Sequence, residues 1–165
     1  MLDFSSFKGN KAFFPFFEAI SKIPRGSGNT KGIADYLENF ARERSLFVYR
    51  DELDSVIIKK NGTAGYENQP PIILQGHTDM VIAVGEDSKT DILRDGVSLH
   101  IDGDFLRADS TTLGADNGIA VAYMLALLDA SDIPHPPSRR CLPQTRRPDS
   151  TARQDSTALS LRARR

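Results

Sequence analysis

The chain has a single cysteine, Cys141, so neither a disulfide framework nor a thiolate metal site is available. Long apolar runs are missing too. The longest, Gly118 to Leu128, falls well short of the roughly 20 residues a helix needs to cross a bilayer. No basic stretch followed by an apolar one comes after Met1, which argues against a secretory signal. Glutamate is absent after Glu86, and lysine, valine, isoleucine and aromatic residues are absent after Pro137. These absences lead us to expect a soluble, cytoplasmic protein with no membrane partner, whose last part differs in kind from the rest.

The 165 residues, 39% hydrophobic and 26% charged, suffice for one domain with a real core. The formal net charge of -1 hides a division. Residues 138–165 hold eight Arg against Asp149 and Asp155, a net of +6, which leaves -7 for residues 1–137. The composition therefore sets a boundary at Pro137/Ser138. Residues 1–137 are expected to form the folded part, and residues 138–165 a disordered Arg/Pro/Ser-rich tail.

Hydrophobic spacing predicts a helix from Phe13 to Ile23, with Pro15 in its first turn and Pro24 as its stop. A loop, Arg25-Gly26-Ser27-Gly28-Asn29, leads to a second helix over about Thr30 to Ser45, which Asn29 or Thr30 can cap. Leu46–Tyr49 and Ser55–Lys59 read as strands, and Asn61-Gly62 as a turn. Pro71 to Gly76 is an almost continuous apolar run, the pattern of a strand buried on both faces. Asp102-Gly103 marks a hairpin between Val97–Ile101 and Phe105–Ala108. A small-residue loop around Asp116 opens an Ala- and Leu-rich helix from about Asn117 to Leu128, and no periodicity follows Pro137. This order implies an α/β domain with helices layered on a mixed sheet. Ligands in such sheets gather at the carboxyl ends of strands, where His77 and Asp79 lie.

Imidazole nitrogen is a good zinc ligand, and a carboxylate nearby can fix its tautomer and orientation. In extended chain, residues two apart face the same side, so His77 and Asp79 can point into one site. Taken alone, a His at a strand end is more often hydrogen-bonded structure. Asp116 alone reads as an ordinary charge at a helix start. It also lies among residues too small to crowd it, where a carboxylate could bridge two metal ions. His100, in a hairpin strand, and His135, between prolines, fit no role and read as structural or solvated. Arg25 could meet a substrate carboxylate, but a loop Arg is more often only solvated.

Gly76-His77-Thr78-Asp79-Met80-Val81, followed by Thr-Thr-Leu-Gly-Ala-Asp-Asn-Gly around Asp116, closely resembles the di-zinc aminoacylase and carboxypeptidase superfamily. More narrowly it resembles the Xaa-His dipeptidases, also called cytosol non-specific or aminoacyl-histidine dipeptidases. Ile20 to Asn29 and Gly65-Tyr66-Glu67-Asn68 look like that family as well, and the likeness runs from about Phe13 to Pro137. It implies a zinc-peptidase catalytic domain hydrolysing dipeptides. His77 would ligate one zinc, Asp79 would act in catalysis by orienting His77, and Asp116 would bridge two Zn2+, with Co2+ or Mn2+ able to serve. It also implies a lid domain, absent here, and homodimerisation open to the intact enzyme only.

The resemblance further implies a Glu-Glu pair near residue 146, the first Glu a general base and the second a metal ligand. Thr145-Arg146-Arg147-Pro148 stands there instead. One lost nucleotide after the Pro137 codon would account for this. Permitted codons for residues 138–149, reread with one C restored in front, give Leu-Glu-Ala-Val-Phe-Thr-Ala-Asp-Glu-Glu-Thr-Gly. We therefore expect residues 1–137 to be the N-terminal part of a metallopeptidase catalytic domain and residues 138–165 to be out of frame. Metal binding is expected to be weak and the chain inactive. The alternative is a non-catalytic protein whose Arg-rich tail binds nucleic acid or an acidic partner. The tail has no aromatic platform for bases, so no nucleic-acid partner is expected.

Overall fold

The computed structural model describes residues 2–5, 7 and 11–143. In chain order the elements are α1 (Phe14–Ser21), α2 (Lys31–Glu43), β1 (Phe47–Arg50), β2 (Val56–Lys60), β3 (Ile72–Gln75), α3 (Ile92–Asp95), β4 (Leu99–Asp102), β5 (Phe105–Ala108), α4 (Ala115–Asp129) and β6 (Ser138–Leu142). Four strands form a mixed sheet in the order β1-β2-β6-β3, and β4-β5 form a separate hairpin. β6 pairs antiparallel with β2 and parallel with β3.

The helices arise where the apolar spacing places them. α1 carries Pro15 in its first turn, where the missing N–H costs nothing. α2 buries Ile33, Ala34, Leu37, Phe40 and Ala41, which recur at the spacing of one helical face. Thr30 occupies its N-cap position, but its side chain makes no cap bond. α4 is apolar nearly all round and buries Val121, Ala122, Met124, Leu125 and Leu128. One core joins these helices to Val56 and Ile58 of β2 and Leu142 of β6. Arg50 fastens β1 to this layer. Its guanidinium donates to Asp35 of α2 at 2.6 Å and also to Asp54 of the β1–β2 turn.

Four expectations need correction. β3 is not buried on both faces: Ile72 and Ile73 are exposed, because β3 lies at the edge of the four-stranded sheet. The hairpin turn is Gly103-Asp104, one residue later than the Asp102-Gly103 signal, with Gly103 supplying the left-handed conformation. His135 is half-buried rather than solvated. Its Nε2 has no hydrogen-bond partner among the described residues.

The fourth concerns the boundary at Pro137/Ser138. Regular structure continues across it, since residues 138–142 form β6 between β2 and β3. The backbone hydrogen-bonding edges of those two strands hold the segment despite its lack of apolar alternation. The remainder of the Arg-rich tail, residues 144–165, lies outside the described residues.

Candidate metal centre

The site grows from the carboxyl end of β3. Gly76 follows the strand at a point where α4 passes close. A Cβ there would stand 2.9 Å from the Met124 Cε and 3.3 Å from the Ala120 Cβ. The chain then turns outward through His77, Thr78 and Asp79. Two bonds to the Arg25–Ser27 loop pin it: Met80 N donates to Arg25 O at 2.9 Å, and Ser27 N donates to Met80 O at 3.1 Å.

The His77 ring has one nitrogen at each of two carboxylate residues. Nδ1 lies 2.9 Å from the Asp79 carbonyl oxygen and 3.3 Å from Asp79 Oδ1. Both neighbours are acceptors, so this hydrogen-bond network assigns the proton to Nδ1. Asp79 is buried, and its Oδ2 accepts a 2.6 Å hydrogen bond from Ser27 Oγ. On the other side, His77 Nε2 lies 3.2 Å from Asp116 Oδ1.

Asp116 belongs to a break at the start of α4. Gly114 is left-handed at φ 67°, Asp116 and Asn117 have non-helical backbone angles, and the peptide bond joining them is cis. The regular helix therefore begins after Asn117, as its apolar pattern predicts. The Asp116 side chain is 66% exposed.

This donor set fits a cation. With a proton on Nδ1, the ring turns Nε2 toward a carboxylate oxygen. Two electron-rich atoms at 3.2 Å call for a proton or a metal ion shared between them. Two ligands of one tetrahedral zinc, each about 2.0–2.1 Å from the metal, stand about 3.3 Å apart. Asp79 faces the opposite ring nitrogen, where a carboxylate fixes tautomer and raises ligand basicity. Among the described residues no group of three or more His, Cys, Asp or Glu side chains gathers around one point. On its own the pair His77–Asp116 would make only part of a coordination shell.

Two residues acquire places that sequence reasoning missed. Ser27 holds Asp79, and its only sequence signal was membership of a Gly- and Ser-rich loop. Arg25 is not solvated: it is 1% exposed. Nη1 donates to Thr78 O at 3.1 Å and Nη2 to Gly114 O at 2.7 Å. Burial pulls its guanidinium down to about 10, against the opposing charge of Asp79. It remains charged at neutral pH. His100 is exposed on β4, away from this cluster.

Over 129 residues, 78% of its length, the chain is 39% identical to the cytosol non-specific dipeptidase of Escherichia coli strain K12. The chain is homologous to that dipeptidase. The fold agrees. The solved aminoacylhistidine dipeptidase of Vibrio alginolyticus superposes with a TM-score of 0.80 at 38% identity, covering 85% of this chain. A dinuclear metal-binding peptidase of the M20 family from Bacillus subtilis, 15% identical, shares the α/β fold over 91% of the chain and 41% of its own, with a TM-score of 0.54. The homology extends over 27% of the Escherichia coli protein and 29% of the Vibrio chain. No family model matches the chain. Among the described residues no helix is long and apolar enough to cross a membrane.

Proposed function

We propose that this chain carries the N-terminal part of the catalytic domain of a cytoplasmic, metal-dependent dipeptidase. The intact enzyme would act on Xaa-His and other dipeptides through two zinc ions. The observation that carries the reading is the His77 Nε2–Asp116 Oδ1 approach at 3.2 Å, with Nδ1 of the same ring held by Asp79. His77 and Asp116 would hold metal, Asp116 from a position open enough to reach a second ion. Bound zinc supplies Lewis acidity and a water acidified to near neutral pH. Asp79 keeps the Nδ1 proton in place, so that Nε2 stays available as a donor atom. Ser27 keeps Asp79 facing the ring.

The sequence holds no Glu beyond Glu86, so a general base of the expected kind is missing. We therefore propose that the 165-residue chain binds zinc weakly and hydrolyses no dipeptide. Clear zinc-dependent turnover of an Xaa-His dipeptide by the purified chain would overturn this.

Residues 138–165 are, in the same proposal, the continuation of the domain read out of frame. Support comes from the place of β6. It enters the middle of the sheet as Ser-Arg-Arg-Cys-Leu, and Ser138 Oγ is buried without a hydrogen-bond partner among the described residues. An interior strand favours apolar residues, and the restored frame supplies Leu-Glu-Ala-Val-Phe there. Because β6 runs parallel to β3, its carboxyl end emerges beside His77. Thr78 N donates to Pro143 O at 3.0 Å. A Glu-Glu pair a few residues further on would start from the edge of the metal centre. Sequencing the gene across codons 130–150 tests this. A neighbouring frame that encodes the Glu-Glu segment is expected, and its absence sinks the proposal.

A further inference from the structure

We propose that Arg25 is the positioning residue that fixes Asp116 opposite His77, an inference that builds on the metal-centre reading above. Its guanidinium joins two loops far apart in sequence. One bond goes to the Thr78 carbonyl, between His77 and Asp79, and the other to the Gly114 carbonyl, two residues before Asp116. The planar fork of Arg suits this, because two N–H groups diverge from one rigid unit; Lys offers a single ammonium instead.

The Asp116 loop is shaped around this group. A Cβ on Gly114, which is also left-handed at φ 67°, would meet both Met80 Sδ and, at 2.5 Å, Arg25 Nη2, and a Cβ on Gly118 would lie 2.7 Å from the same nitrogen. Both glycines of the Gly-Ala-Asp-Asn-Gly run thus make room for a side chain about ninety positions upstream. The Asp116 side chain is mostly exposed, so packing contributes little to its placement. A backbone tie two residues earlier holds the loop that carries it. Burying a guanidinium is costly, and an apolar side chain of similar volume is often as stable or more so. The charge sits where it spans both halves of the site and faces Asp79.

The test is spectroscopic and needs no metal. In the 165-residue chain at a fixed alkaline pH, the 15N shift of His77 Nε2 is recorded with and without Asp116→Asn. The comparison is repeated in Arg25→Lys, Arg25→Met and Gly114→Ala backgrounds. A Leu128→Ala background, destabilised away from the site, serves as control. Asp116→Asn is expected to move the Nε2 shift in the wild-type and Leu128→Ala backgrounds. In both Arg25 backgrounds and in Gly114→Ala most of that response is expected to disappear. A full response in Arg25→Lys or Arg25→Met overturns the proposal. So does the lack of any response in the wild type, since the contact itself would then be missing. If neither Arg25 variant folds, by circular dichroism, Arg25 belongs to the fold alone and the proposal falls.

A zinc titration on the same samples separates the two readings. The affinity is expected to fall about 10–100-fold in the Arg25 variants, the usual effect of losing support around a metal ligand. If the wild type takes up no zinc but the Asp116 response depends on Arg25, the proposal that this chain binds zinc fails and the positioning role stands.

Discussion

His77 draws its orientation from Asp79, and Asp79 draws part of its own from Ser27. Removing a link from this chain should affect metal binding less the further the link lies from the ring. Asp79→Ala leaves the 2.9 Å bond from Nδ1 to the backbone carbonyl of residue 79 but removes the carboxylate 3.3 Å from the same nitrogen, and should lower zinc affinity about 10–100-fold, read by calorimetric titration. His77→Asn should abolish uptake at the same concentrations. Ser27→Ala removes a 2.6 Å hydrogen bond to a buried carboxylate. It should lower stability by about 1.5–3 kcal/mol in a denaturant melt. His77, Asp79 and Asp116 were singled out in the sequence through the likeness of their motifs to a family, each being weak alone, and the structure brings the three side by side. Ser27 and Arg25 were not. Nothing in a loop sequence says that one of its cations will be buried, and the Gly114–Gly118 frame that accepts it lies far downstream.

Among the elements, the Arg50 cluster has the clearest pH signature. Hydrogen bonds from Arg50, then from Lys31, hold the Asp35 carboxyl below its ordinary value. A carboxylate with a lowered folded pKa contributes stability above about pH 3.8 and loses it as the pH falls through the folded value. Asp35→Asn should therefore leave stability unchanged at low pH and lower it slightly at pH 5 and above, so that the acid limb flattens in denaturant melts across pH, an effect that high salt shrinks. In the core, Leu125 of α4 is fully buried. Leu125→Ala should cost about 2–5 kcal/mol, measured by thermal or chemical unfolding.

The same elements show where pattern reading works. α1, α2, β1 and β2 follow their apolar spacing, and α4 follows its Ala- and Leu-rich composition. β3 showed the right run of residues, but the run could not reveal that the strand lies at an edge. β6 had no readable pattern at all. Ser-Arg-Arg-Cys-Leu forms a strand here because β2 and β3 present pairing edges on either side of it, an effect of neighbours rather than of its own residues.

For the whole molecule, the edge is a liability. β3 ends the four-stranded sheet and carries exposed Ile72 and Ile73. An apolar edge strand invites pairing with another chain. The protein should therefore associate with rising concentration, seen by light scattering after size-exclusion chromatography. Ile73→Lys should reduce that association without lowering the melting temperature by more than a few degrees.

The position of β6 also bears on synthesis. β1 and β2 are neighbours in the chain and can pair soon after they leave the ribosome. β3 has no such neighbour. The Thr78–Pro143 contact that closes its side of the sheet spans 65 residues. Closing so long a loop costs entropy before any contact repays it. The nascent chain therefore carries two hairpins and a lone strand until the sixth strand arrives. The interval exposes β3 to whatever else can pair with it, so a ribosome that stalls between these two points releases a sheet with its middle missing.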